Sequence, residues 1–169
     1  MSSGSNVLLL FAIFASVFLL FSELAHCEDL VIEYGNVAVH QGTELTPKQT
    51  HLPPTVLSWP TEPETLYTLL VTDADVPAKV REINHWTIVN IAGTNVATGE
   101  TLEQYTGANP PQGSGTHRYV FRVYKQSEKN HMKRFTTRTS FNSTRFILEN
   151  HLEGPLAENF FVSQYQSEN

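Results

Sequence analysis

Cysteine is nearly absent from this chain, Cys27 being the sole one. A fold that enters an oxidising compartment without disulfides must be held by its core alone. Long apolar runs are equally scarce. The principal one, Val7 to Phe21, falls short of the about 20 residues that a membrane-spanning helix needs. Basic residues are few and scattered, 11 Lys and Arg against 17 Asp and Glu, for a net charge of −6. That balance excludes the positive stripe demanded by duplex nucleic acid and removes any electrostatic pull towards anionic membranes. No internal repeat, low-complexity tract or Pro/Gly/Ser linker divides the chain, so a single domain is expected. The motifs Gly-x-Ser-x-Gly and His-Glu-x-x-His are missing too, which argues against the commonest hydrolase sites.

The apolar run reads instead as the h-region of a secretory signal, although no Lys or Arg precedes it. Ala25 and Cys27 occupy the −3 and −1 positions of a small-residue cleavage pattern. Residues 1–27 are therefore expected to be a signal peptide, cut between Cys27 and Glu28. Residues 28–169 are expected to form a secreted, thiol-free monomer with no transmembrane anchor. In a secretory pathway Asn142-Ser143-Thr144 is a glycosylation sequon with Asn142 as acceptor.

β-branched and aromatic residues concentrate in Leu30–Tyr34, Thr55–Trp59, Tyr67–Thr72, Trp86–Ile91 and Arg118–Tyr124, which predicts strands there. Prolines and glycines fill the spacers, from Pro53-Pro54 to Gly113 and Gly115. Little helical periodicity lies between them, so an antiparallel all-β sandwich is expected rather than a βαβ array. Ser143 to Leu152 is the exception, with helical spacing of apolar residues and Asn142 or Ser143 as N-cap. Phe160 to Val162 reads as a last strand.

Three clusters carry chemistry, each where a strand meets a turn. Thr72-Asp73-Ala74-Asp75-Val76-Pro77 follows one apolar strand, and Asn84-His85-Trp86 opens the next. The third, Tyr105 to Thr116, leads into His117-Arg118-Tyr119. Taken singly, each has an ordinary explanation: aspartates bonding to turn amides, a half-buried structural histidine, a polar strand residue. His40, His51, His131 and His151 share no spacing and read as surface residues.

Taken in order, TDADVP, NHWTIVNIAG and YTGANPPQGSGTHRYVFRVYKQ resemble the signature blocks of the phosphatidylethanolamine-binding family, which includes the Raf kinase inhibitor proteins. LVIEYGNVAV and ELTPKQTHLPPTVLSW resemble its opening region. FNSTRFILENHLEGPLAENFFVSQY is similar to its closing helix and strand. The resemblance implies two antiparallel sheets in a sandwich, with a small anion-accepting pocket at one end. Here that pocket would be built from Asp73, His85, Gly107, Pro110, His117 and Tyr119. Imidazole gains charge easily near neutrality, a glycine turn lets backbone amides approach an anion, and Tyr119 donates without adding charge. Asp73 would have to be protonated, paired with His85, or turned to an ammonium group.

The resemblance thus implies a non-enzymatic binder of a phospholipid headgroup or small phosphorylated anion, with no cofactor and no metal. It also permits inhibition of an extracellular serine protease, or regulation of a kinase pathway, through the surface. An enzyme is not expected, because Ser114 sits in a glycine turn with no evident orienting base. Four departures from the family pattern stand out. Ala74 replaces a proline between the aspartates, the Pro77–His85 loop is short, Asn109 replaces a glycine, and relatives continue further beyond Tyr165.

Overall fold

Each predicted strand forms, and most extend beyond their apolar run because ladder pairing recruits flanking polar residues. The computed structural model describes residues 28–77, 81–131 and 134–167. The expected signal segment with Cys27, and loop residues 78–80, lie outside the described residues.

The strands are β1 (Glu28–Asp29), β2 (Val31–Tyr34), β3 (Val37–Ala38), β4 (Thr43–Glu44), β5 (Val56–Ser58), β6 (Leu66–Asp73), β7 (Ile83–Ala92), β8 (Glu100–Glu103), β9 (Thr116–Gln126) and β10 (Leu152–Gln164). A seven-stranded sheet runs β1-β10-β9-β6-β7-β8, with β4 also paired to β10. The long strands pair antiparallel, whereas the short β1 and β4 add to β10 in parallel. A three-stranded antiparallel sheet, β3-β2-β5, faces it. The helix α1 covers Ser143–Glu149, shorter than expected, because Leu152 already opens β10. Its N-cap is Asn142, whose side chain accepts the Arg145 amide at 3.0 Å. Among the described residues no helix is long and apolar enough to cross a membrane.

Period-two alternation gives the large sheet two apolar faces. Val71, Tyr119, Phe121, Val123, Ala157 and Phe161 point towards the small sheet and pack with Leu30, Ile32, Tyr34 and Trp59. Leu70, Val89, Tyr124 and Leu152 point the other way, against Phe141 and Phe146 beside α1. Asn159 clamps the sheets together, its buried amide donating to the Leu30 and Val39 carbonyls at 2.8 and 2.9 Å.

Two irregularities in β7 break the alternation. Tyr67 pairs with Ile91 but Leu69 with Ile88, and Val71 pairs with Trp86 but Thr72 with Asn84. Each leaves an extra residue on β7, a β-bulge. The second bulge turns His85 onto the same face as Trp86, which positions the site described below. The first holds Asn90 at φ 61° and opens a buried amide network. Gln126 accepts from the Asn90 amide at 2.7 Å and from the Thr68 hydroxyl at 2.9 Å, and donates to Asn90 Oδ1 at 2.9 Å. Asn90 in turn exchanges bonds with the Asn130 backbone at 2.8 and 2.7 Å.

Replacing Gln126 with Ala strands a buried amide and a buried hydroxyl together. The expected loss is about 2–3 kcal/mol, measured as a lower urea midpoint with an unchanged slope.

Candidate ligand-binding site

β6 and β9 end side by side, with Asp73 paired to Tyr119 across the ladder. Asp73 Oδ2 lies 2.7 Å from His117 Nδ1, and both residues are 3% exposed. The partner of Asp73 is thus His117, not the His85 that was one of three alternatives for it. The other Asp73 oxygen accepts the Asp75 amide at 3.0 Å, the turn bond that an Asp so placed favours. Asp75 then grips Arg118 through a bidentate fork at 2.7 and 2.8 Å and accepts its backbone amide at 3.0 Å. Hydrogen bonding to that guanidinium holds the Asp75 carboxyl below its ordinary range. Ala74 donates its amide to the Arg118 carbonyl at 3.0 Å, a bond that the proline of the family pattern could not make.

His85 approaches from β7. Its ring meets that of Tyr119 edge-on at 4.9 Å, and its Nδ1 bonds to the Thr106 carbonyl at 2.8 Å. Thr106 returns its amide to the His85 carbonyl at 2.9 Å. Burial, the largest influence, lowers the His85 pKa from 6.5, and Arg138 lowers it further, against the raising effects of Thr106 and Asp73. His85 is therefore neutral at pH 7 rather than cationic. Burial likewise raises the Tyr119 hydroxyl, assisted by the Asp73 charge. That hydroxyl accepts the Asn109 amide at 3.3 Å, which leaves its own proton free for a ligand.

Gly107 serves close packing. A Cβ there would stand 2.3 Å from the Thr50 carbonyl oxygen, so only glycine lets the two segments meet. The Thr50 carbonyl also accepts the Tyr105 hydroxyl at 2.7 Å, and the Thr50 hydroxyl oxygen accepts the Ala108 amide at 3.2 Å. Burial pushes the Tyr105 pKa up to about 12. Pro110 is buried, while Asn109 is exposed and stays out of the left-handed region. Beside them a groove of about 940 Å³ is lined by Pro47, Lys48, His51, Asn109, Pro110 and Tyr165. Neither Asp73 nor His117 lines it.

The six expected residues thus gather at one end of the large sheet, in different capacities. Three others were not foreseen. Arg138 donates to the Gln104 carbonyl at 2.8 Å and pairs with Glu103 at 2.9 Å, with longer bonds to the Asn84 and His85 carbonyls. It braces the bulge from a loop that carries no strand signal. Thr50 lies in a turn far off in sequence. Ser114, for which the sequence offers no evident orienting base, has its Oγ 2.8 Å from His117 Nε2. Their separation of three residues was the available signal. The hydroxyl of Ser163, cross-strand from His117, is buried without a hydrogen-bond partner. The expected surface histidines 40, 51, 131 and 151 are exposed. Among the described residues no group of His, Cys, Asp and Glu could hold a metal ion.

Comparison with known proteins places this geometry. The family profile for phosphatidylethanolamine-binding protein matches residues 35–161. A 26 kDa secreted antigen of Toxocara canis is 36% identical over 140 residues, covering 76% of this chain and 53% of that protein. The chain therefore spans about half the length of this relative. A carboxypeptidase Y inhibitor, solved in complex with its cognate proteinase, is 25% identical with a TM-score of 0.70. The match covers 81% of this chain and 83% of that one. The solution structure of CG7054 is 36% identical over 84% of this chain and 88% of its own, with a TM-score of 0.67.

Because His85 takes up a proton less readily when folded, its contribution to stability is complete above pH 6.5. It is lost as the pH falls below that value through the lowered folded pKa, since the unfolded chain binds the proton first. A His85→Gln variant should lose this part of the acid slope in unfolding midpoints measured from pH 7 downwards. An unchanged slope would show that His85 is not held neutral.

Proposed function

The chain belongs to the phosphatidylethanolamine-binding protein family, and from that premise we propose that it is a secreted, non-enzymatic binder of phosphatidylethanolamine-type headgroups or related phosphorylated anions. The ligand is held by Asp73, His85, Gly107, Pro110, His117 and Tyr119. The observation that carries this reading is the buried Asp73–His117 pair beside the Tyr119 hydroxyl, against which the His85 ring packs. A phosphate oxygen accepts from that hydroxyl. His85, whose one ring proton goes to the Thr106 carbonyl, offers its Nε2 as an acceptor to an ammonium group. The Asp73 carboxylate disfavours a bare anion. A zwitterion whose ammonium offsets that charge is therefore preferred to inorganic phosphate.

Residues 1–27 as a signal peptide and 28–169 as the secreted domain belong to the same proposal, supported by the likeness to a secreted antigen. So does a glycan on Asn142. The glycan would attach to the amide nitrogen, leaving Oδ1 to cap α1 as it does now. A second reading, inhibition of an extracellular protease through the surface, is favoured by the likeness to a carboxypeptidase Y inhibitor.

Titrating the chain with phosphorylethanolamine, followed by NMR of the histidine rings, tests the first reading. Saturable shifts at His85 and His117 are expected, with a dissociation constant of about 1 mM or tighter, weaker for phosphate and abolished in His85→Ala. A folded spectrum with no shifts rejects the pocket. Protease inhibition that survives His85→Ala would establish the second reading.

A further inference from the structure

A hydroxyl, an imidazole and a carboxylate stand in line at the rim of the site. Asp73 Oδ2 is 2.7 Å from His117 Nδ1, and His117 Nε2 is 2.8 Å from Ser114 Oγ. A carboxylate oxygen accepts, so Nδ1 carries the proton, and in that tautomer Nε2 presents its lone pair to the serine. The orienting group is itself held, because Asp73 is buried and its second oxygen is fixed by the Asp75 amide. Ser114, by contrast, is exposed. It lies between Gly113 and Gly115, whose φ values of 79° and 82° suit glycine, and a Cβ on either would meet nothing within 4 Å. An incoming group therefore has open access to the hydroxyl.

From this alignment we propose that Ser114 is an activated nucleophile, a covalent acceptor for activated acyl and phosphonyl groups, with His117 as its base and Asp73 as the orienting carboxylate. Ser114 Oγ forms a bond to the carbonyl carbon or phosphorus, and the bond to the leaving group breaks, its electron pair departing with that group. The hydroxyl proton passes to His117 Nε2 and from there to the leaving group or water. No oxidant, reductant or cofactor enters the balance.

The same turn limits the chemistry. The Pro111 carbonyl lies 2.7 Å from Ser114 Oγ and competes for its proton. It also binds the Ser114 amide at 3.1 Å. In serine hydrolases the nucleophile's own amide helps to stabilise the oxyanion, and here it is committed elsewhere. The adduct should accumulate rather than turn over, so the modification is stoichiometric. It shares Asp73 and His117 with the proposed headgroup pocket but needs no bound headgroup.

Incubating the chain with a fluorophosphonate, then mapping the adduct by mass spectrometry, tests this. A single adduct on Ser114 is expected, absent in Ser114→Ala and formed about a hundredfold more slowly in His117→Gln. The exposed Ser127 of the same chain is the internal reference, which keeps the test valid if the His117 variant unfolds. Labelling of Ser114 no faster than Ser127 in the folded wild-type chain overturns the proposal. With p-nitrophenyl acetate, release should stop near one equivalent, and sustained turnover would overturn the stoichiometric limit.

Discussion

A carboxylate and an imidazole, both almost wholly removed from water, meet at 2.7 Å where β6 and β9 end together. Neither group could be buried there alone, because an unpaired polar or charged group costs several kcal/mol away from water (roughly 2–7 for a neutral one). The pair is tolerated because its outer valences are also met: the Asp75 amide on one side, the Ser114 hydroxyl on the other. Those secondary bonds transmit the constraint. Through Asp75 it reaches Arg118 and fixes the strand ends, and through Ser114 it fixes the turn that leads into β9.

The opposite wall obeys a different constraint, the extra residue in β7. A regular strand would send His85 and Trp86 to opposite faces, and the bulge delivers both to the inner one. Such a distortion exposes carbonyls, and these are met by Arg138 and by the Thr106 amide. The Gly107–Thr50 contact then holds the following segment close. A buried pair on one side and a braced bulge on the other flank the Tyr119 ring. The chemistry there is balanced rather than cationic, with a neutral His85 beside the Asp73 carboxyl.

Much of the architecture was legible because the central strands β6, β7 and β9 are dense in β-branched and aromatic residues and bounded by turn residues. β10 was read only in its Phe160–Val162 portion. Its first half contains Gly154 and Pro155, and its buried Asn159 looks like a surface residue until the two backbone carbonyls it serves are known. The parallel additions of β1 and β4 are two residues long and leave no periodic trace. The six candidate residues could be proposed because three motifs stand in one order, but their hydrogen-bond partners could not. A register shift that reorients His85, a glycine demanded by a carbonyl far away in sequence, and Arg138 in an irregular loop are consequences of tertiary contact. Ser114 shows the same limit in reverse, a turn serine whose imidazole partner becomes evident only when β9 places His117 beside it.

The central claim is that His117 is locked by Asp73 with its Nδ1 proton directed into the carboxylate. Long-range nitrogen–proton correlation on uniformly ¹⁵N-labelled chain measures this directly. The account predicts a protonated Nδ1 on His117, with a low-field, slowly exchanging proton that vanishes in Asp73→Ala. An unprotonated Nδ1, or a ring proton exchanging as freely as those of the exposed histidines, would contradict it.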